Sequence, residues 1–486
     1  MKPEAMTHDL LTASATELGR RIRHGEVSSA DVVDAHIRRI EQVNPQLNAL
    51  VVPTLDRARE QARAVDGRVA SSPSPEALPP LLGVPFTVKE LIEVEGLPCT
   101  AGVVARRDVI ADEDAPLVRR MRDAGGILLG LTNVSEAGVW LESHNRIYGR
   151  TTNAYSPRRI SGGSSGGEGA LIGAGGSPIG IGADIGGSIR NPSFFNGICG
   201  HKPSGGLLPS AGHWPPAVGE RARYCVLGPM ARRVEDLVTA MEVFSPGDDP
   251  YRDADRPAFE PLEEPRFDPR RHRIFWYDSD GLLPVSRHVK RAMRRALSGL
   301  EALGYRAERW RPAGTRRAPL LWMPLVSSSD EVAIKELLGD GDAIDLRQQW
   351  SAFFRRRANH PLYSLVMSTF DGVVEPDAEK LAALAGQRDE MRDQIEAQLG
   401  EDGVLICPPY PRPAPHHHRP LLLPTAFAYC GLYNVLELPA TAVPTGFSRH
   451  GLPVGVQVVG RRFGDALTLR VAADVERVCG GWRMPR

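Results

Sequence analysis

The chain has 486 residues, 59 basic and 59 acidic side chains that cancel to a formal net charge of zero, and a hydrophobic fraction of 42%. That length supports a large core, and the charge balance offers no long-range attraction to nucleic acid or acidic membranes, so no nucleic-acid partner is expected. No apolar run reaches the ~18 residues of a membrane helix, so no integral membrane segment is expected, and MKPEAMTHDLLTASATEL lacks the apolar core of a signal peptide.

In chain order, Ser14 is placed to cap a helix through TELGRRIRHG, and Ser28 or Ser29 a second through VVDAHIRRIEQVN, ended by Pro45. The second carries Val32, Val33, Ile37, Ile40 and Val43 as an apolar stripe. SSPSPEALPP (71–80) is a loop, and LLGVPFTVKEL a short buried strand that carries Lys89. DAPLVRRMRDAGGILLGLTN gives a helix, a stop at Gly125 and an apolar strand, a rhythm that predicts a largely parallel, covered sheet. Residues 245–270 are polar and proline-rich, an insertion or surface excursion. RIFWYD then reads as a strand, VSRHVKRAMRRALSGLEALG as a long amphipathic helix, and LPVGVQVVG as another buried strand. No internal repeat of 20–50 residues is present. Six cysteines, Cys99, Cys199, Cys225, Cys407, Cys430 and Cys479, form no C-x-x-C pair and read as reduced, mostly buried residues of a cytoplasmic protein.

The stretch ISGGSSGGEGALIGAGGSPIGIGADIGGSIRNP (160–192) is dense in glycine and serine. A phosphate loop fits poorly: G-x-x-x-x-G-K-[ST] is absent, and Pro192 follows Gly186 where a Rossmann turn would open a helix. A reacting serine fits better. Ser188 follows Ile185, Gly186 and Gly187, so backbone N–H groups can converge beside its hydroxyl as an oxyanion hole requires. Its base is not in a familiar triad context, since only His144 and His201 of thirteen histidines lie near these motifs. Lys89, a lone cation in an apolar strand, is the stronger candidate. To be neutral near pH 7 it must lose roughly three units from ~10.4, about 4 kcal/mol of environment. A structural ion pair with Glu90 or Asp184 is equally open at this point.

GGSSGGEGALIG followed by GADIGGSIRNPSFFNGICGHKP resembles the amidase signature family, without a gap. The resemblance implies an α/β amidase-signature fold, with a central mixed, mostly parallel sheet covered by helices on both faces. It implies a triad of Ser188 as nucleophile, Ser164 as a bridging serine after a cis peptide from Gly163, and Lys89 as base. It also implies oxyanion donors in the backbone of Ile185, Gly186, Gly187 and Ser188, with Ser165, Asp184 and Arg190 as supports. A hydroxyl donates and accepts, so Ser164 can pass a proton between Lys89 and Ser188.

The likeness covers nearly the whole chain, with TNVSEAG (132–138) and YGRTTNAYSP (148–157) leading into the serine loop. Spacing puts Gly138 where fatty-acid amide hydrolases contact substrate. APHHHRPLLLPTAFAYCGLYNVLELPATAVPTG and the terminal CGGW are similar to the second vertebrate type of those enzymes, whose N-terminal membrane helix is not expected among these residues. A single domain 1–486 is expected, with core motifs in 78–245, a variable pocket region 246–400 and a core return in 401–486. The implied activity is hydrolysis of apolar acyl or aryl amides through an acyl-enzyme, with esters or carbamates as side substrates. The implied ligand is a small-molecule amide, with no cofactor, no metal and a homodimeric state. The alternative is a glutaminase subunit of a tRNA-dependent amidotransferase, which would need a partner complex. A non-enzymatic binding protein would need a triad member missing, and none is.

Three further features have plainer readings. DLRQQWSAFFRRRANHPLYSLVMSTF (345–370) sets Trp350, Phe353 and Phe354 beside Arg355, Arg356 and Arg357. Such a helix can lie on lipid or cap an apolar pocket, but a surface helix with its apolar face in the core is the plainer reading. His416, His417 and His418 are adjacent and cannot all face one ion, and Cys199 reads as a small core residue.

Overall fold

The computed structural model describes residues 3–217, 219–246, 258–262, 267–328, 333–371 and 376–485, so most of the 245–270 stretch lies outside the described residues. Fifteen strands are described. Eleven form one sheet: β1 (Leu50–Pro53), β2 (Pro85–Lys89), β3 (Ile127–Thr132), β8 (Ile179–Asp184), β9 (Cys199–Lys202), β10 (Val226–Ala231), β11 (Arg273–Trp276), β12 (Arg306–Arg309), β13 (Gly403–Cys407), β14 (Ala440–Phe447) and β15 (Pro453–Val459). The remaining four make two ribbons beside it, β4 (His144–Asn145) with β5 (Gly149–Arg150), and β6 (Thr152–Asn153) with β7 (Ser156–Ile160).

The order across the sheet is β1-β3-β2-β8-β10-β9-β14-β15-β13-β11-β12. It is mixed, as expected, but its directions are segregated. Parallel pairs join β3, β2 and β8 on one side and β13, β11 and β12 on the other. The middle, from β8 through β10, β9, β14 and β15 to β13, is antiparallel, as is the β1 edge. The parallel reading drew on the βα rhythm around 116–132, which belongs to one of those flanks.

Side chains alternate across a strand, and here both faces are buried. On β13, Val404 and Ile406 pack with the helices Arg287–Ala302 and Asp465–Cys479. Leu405 and Cys407 face the opposite cluster, built from the helices Ala318–Ser328, Ala378–Leu399 and Ala428–Val435. β3 does the same, with Leu128 and Leu131 in one cluster and Ile127 and Leu129 in another. Near-continuous Val/Ile/Leu/Ala runs are what a sheet covered on both sides requires. Among the described residues no helix is long and apolar enough to cross a membrane.

Ser14 and Ser28 accept from the N–H groups of Glu17 and Asp31, as caps do. The helix Ser29–Leu47, however, runs past Pro45 and ends at Asn48 in the left-handed region (φ 50°). Pro45 gives the Glu41 carbonyl no hydrogen bond, but the last turn still closes, with the Asn48 N–H donating to the Asn44 carbonyl at 2.8 Å. The Asn44 side chain secures the exit by accepting from Ala49 and Leu50 and donating to the Leu50 carbonyl.

The 345–370 segment is also different from its expected form. It is two helices, Leu346–Phe354 and Leu362–Phe370, broken where Pro361 begins the second. The first buries none of its residues in the core. Trp350, Phe353 and Phe354 instead pack on one another, with ring centroids 5.8–6.2 Å apart, and Phe354 is 79% exposed.

Candidate active site

Lys89 is the last residue of β2, and Asp184 the last of its parallel neighbour β8. The strand ends therefore deliver a cation and a carboxylate to one rim of the sheet. The loop 161–165 and the turn 185–189 lie over that rim. Ser165 ties them together: its N–H donates to the Ser188 carbonyl (3.3 Å), and its hydroxyl both donates to the Ala183 carbonyl (3.2 Å) and accepts from the Ala183 N–H (3.3 Å).

Lys89 Nζ donates to Ser164 Oγ at 2.7 Å and lies 3.4 Å from the Ala183 carbonyl. It makes neither of the ion pairs its sequence left open. Glu90 accepts from Thr100 and Tyr148, and Asp184 is held by Arg190. Burial lowers the Lys89 pKa from 10.5 to about 7, against the raising influence of Cys225, Asp184 and Glu168. Glu168 itself accepts from Thr87 (2.8 Å) and Thr132 (2.9 Å) below the site, and burial raises it to about 8.

Ser164 is 2% exposed and follows a cis peptide from Gly163. Glycine is required at 163 by close approach, because a Cβ there would run into the Trp140 carbonyl and sit 2.8 Å from the Glu142 nitrogen. A Cβ at Gly138 (φ +73°) would lie 3.7 Å from Ser164 Oγ, so the loop carrying Gly138 borders the serine.

Ser188 is 8% exposed and precedes the helix Arg190–Asn196. Asp184 organises its turn, accepting from the N–H of Gly187 (2.7 Å), Ile189 (3.1 Å) and Arg190 (3.3 Å). Of the four amides expected to converge, that of Gly187 is thus taken by Asp184. Those of Ile185, Gly186 and Ser188 have no protein acceptor among the described residues. The Arg190 guanidinium doubly bonds Asp184 at 3.0 Å in full burial, and also donates to Gln457 (3.0 Å) and Asn434 (2.6 Å). Burial alone would raise the Asp184 carboxyl, but Arg190 outweighs it and holds the group well below the usual range.

Asn434, Gln457, Trp322 and Tyr363 are contacts that sequence reasoning did not single out. Trp322 donates from Nε1 to the Ile185 carbonyl at 2.8 Å. Tyr363 accepts from the Glu136 N–H (2.7 Å), donates to the His144 carbonyl (2.5 Å) and stacks on Trp140. The His417 ring and the His418 backbone N–H bind the Glu142 carboxylate, while the His418 ring meets Arg150 and the His416 ring the Arg158 carbonyl, so the three imidazoles face separate partners. Cys199 is fully buried, and burial pushes its thiol well up.

Comparison with known proteins gives consistent matches. The family model described as Amidase matches residues 31–469. Fatty-acid amide hydrolase 2-A of Danio rerio is 37% identical, over 99% of this chain and 91% of its own length. A glutamyl-tRNA(Gln) amidotransferase subunit from Synechococcus sp. (strain CC9605) is 29% identical, over 94% of both chains. A solved fatty acid amide hydrolase superimposes with a TM-score of 0.80 at 23% identity, covering 99% of this chain and 87% of that one, a likeness of fold.

Proposed function

This chain belongs to the amidase signature family and is an amide hydrolase, and from that premise we propose that it cleaves apolar acyl or aryl amides through a Ser188–Ser164–Lys89 relay. The observation that carries the reading is the 2.7 Å Lys89–Ser164 hydrogen bond with a lysine whose pKa burial has brought to about 7.

Neutral Lys89 Nζ accepts the Ser164 proton while Ser164 Oγ accepts that of Ser188. Ser188 Oγ bonds to the substrate carbonyl carbon, and the carbonyl oxygen takes the negative charge. The free N–H groups of Ile185, Gly186 and Ser188 stabilise that oxyanion, and collapse breaks the C–N bond as Lys89, through Ser164, returns a proton to the leaving amine. Water, deprotonated by the same relay, then releases the acid and restores Ser188. No cofactor enters. Trp322 lies beside Gly186 and Phe427 packs on Trp322, ring centroids 4.5 Å apart, an apolar wall that favours an apolar substrate over glutamine.

The test is intact-mass spectrometry and peptide mapping after fluorophosphonate treatment, alongside p-nitroanilides from acetyl to long acyl. Labelling of Ser188 with best turnover on apolar anilides is expected. Absence of an adduct, or turnover of glutamine only with added partners, would overturn it in favour of a glutaminase that works inside an amidotransferase complex.

A further inference from the structure

Trp322 lies on the helix Ala318–Ser328, inside the variable region, yet it contacts the turn that precedes Ser188. Its indole edge is held between two backbones without side chains. A Cβ at Gly186 would come within 3.0 Å of Cζ2, and one at Gly431 within 3.0 Å of Cδ1. Phe427 tilts against its face. The ring is therefore fixed in place, and its one donor is used on the Ile185 carbonyl at 2.8 Å.

The Ile185–Gly186 peptide is trans, so its C=O and N–H point in opposite directions within one plane. Anchoring the carbonyl on Trp322 sets the plane and aims the Gly186 N–H to the other side. That N–H has no protein acceptor among the described residues, and Gly186 is only part-buried. We infer that Trp322 is a positioning residue that holds the Ile185–Gly186 peptide so that the Gly186 N–H meets the developing oxyanion. This rests on the reading of Ser188 as nucleophile beside donors 185, 186 and 188. It assigns a role in the chemical step to a residue far along the chain from the serine motif, and it gives glycine at 186 and 431 a reason, since a Cβ at either would crowd the indole.

The experiment compares the wild-type protein with Trp322→Phe, which keeps an aromatic ring and removes the N–H. kcat and KM are measured on one apolar anilide, with inhibition by an aliphatic aldehyde that adds to the serine and by the matching carboxylic acid. Expected is a fall in kcat of about ten- to a hundredfold, below the 10²–10³ for deleting a donor outright, with KM within about twofold. Aldehyde affinity should fall in step with kcat while acid affinity holds. Unchanged kcat, or a change confined to KM and to the acid, would overturn the inference and leave Trp322 as pocket wall only. Should Trp322→Phe melt early, benzothienylalanine at 322 retains the bicyclic shape with sulfur in place of N–H and reads the same bond. Ser188→Ala separates the two layers. If it retains turnover, the underlying reading fails; if it is dead while Trp322→Phe is unaffected, only this inference fails.

Discussion

Lys89 Nζ stands 2.7 Å from Ser164 Oγ, and both side chains are closed off from solvent. A lysine in that position has two possible uses, as a fixed charge or as a base, and it has no carboxylate in ion-pair contact among the described residues, which favours the second. Lys89→Met tests it, because methionine fills similar volume without a basic nitrogen. Turnover should fall by about 10²–10⁴-fold, the range of a lost general base, with the folded state no less stable since no buried charge is stranded. Wild-type anilide hydrolysis by the variant would remove Lys89 from the relay.

The lysine pKa sets a pH dependence of definite sign. Below about 7 Lys89 is protonated and has no lone pair to offer, so kcat/KM should rise through about pH 7 and level off above it. Folding stability should also respond. Between about 7 and 10.5 the unfolded lysine binds a proton that the folded one does not, so stability from this group climbs with pH across that window. Denaturant midpoints of wild type and Lys89→Met, followed over pH, isolate this contribution, and their difference should shrink as pH rises. A difference that stays flat would mean the folded lysine keeps its ordinary proton affinity.

The Asp184–Arg190 pair bears on the shape of the serine turn. Asp184 satisfies three backbone N–H groups and the guanidinium at once, in full burial. Asp184→Asn leaves Arg190 charged without its counter-ion. It should lower unfolding stability by ~3–5 kcal/mol and abolish turnover together, because the amides around Ser188 lose their organiser. Equilibrium denaturation monitored beside activity checks this, and a loss under ~1 kcal/mol would show that Asn434 and Gln457 suffice to hold Arg190.

How much of this was readable in advance follows from how far apart the parts lie in the chain. Ser164, Ser165, Asp184, Ser188 and Arg190 fall within one short motif, so their meeting required only a strand, a turn and a helix start. Lys89 was legible as an isolated cation in an apolar strand, and its neighbour in the sheet is the strand that carries Asp184. Trp322, Tyr363, Asn434 and Gln457 reach the site from 137 to 267 positions away along the chain, by contacts for which no local periodicity or spacing is a signal. The antiparallel middle of the sheet was missed for the same reason. Apart from β14 and β15, which are joined by residues 448–452, strand pairing there is set by long connections, while the residues of β9, β10 and β14 show only that they are buried. Which of the four expected amides was free depended on where the Asp184 carboxylate points, a matter of side-chain geometry.

Tyr363 is a residue at which substrate binding and stability can be separated. Its hydroxyl accepts from the Glu136 N–H and donates to the His144 carbonyl, bridging both ends of the loop that carries Gly138 beside Ser164. His360, just before the same helix, bonds the buried Glu136 carboxylate at 3.0 Å, so the loop has a second tether. Tyr363→Phe preserves the stack on Trp140 but leaves one donor and one acceptor unpaired, worth ~1–3 kcal/mol of stability. Because the Lys89–Ser164–Ser188 parts stand on other elements, the loosened loop should act on binding. KM for a long-chain anilide should rise several-fold while kcat stays within about threefold, and the rise should be smaller for the acetyl anilide, which reaches less of the loop. A fall in kcat at constant KM would instead make the 136–144 loop part of what aligns Ser164, and the helix Leu362–Phe370 would then act on the chemistry.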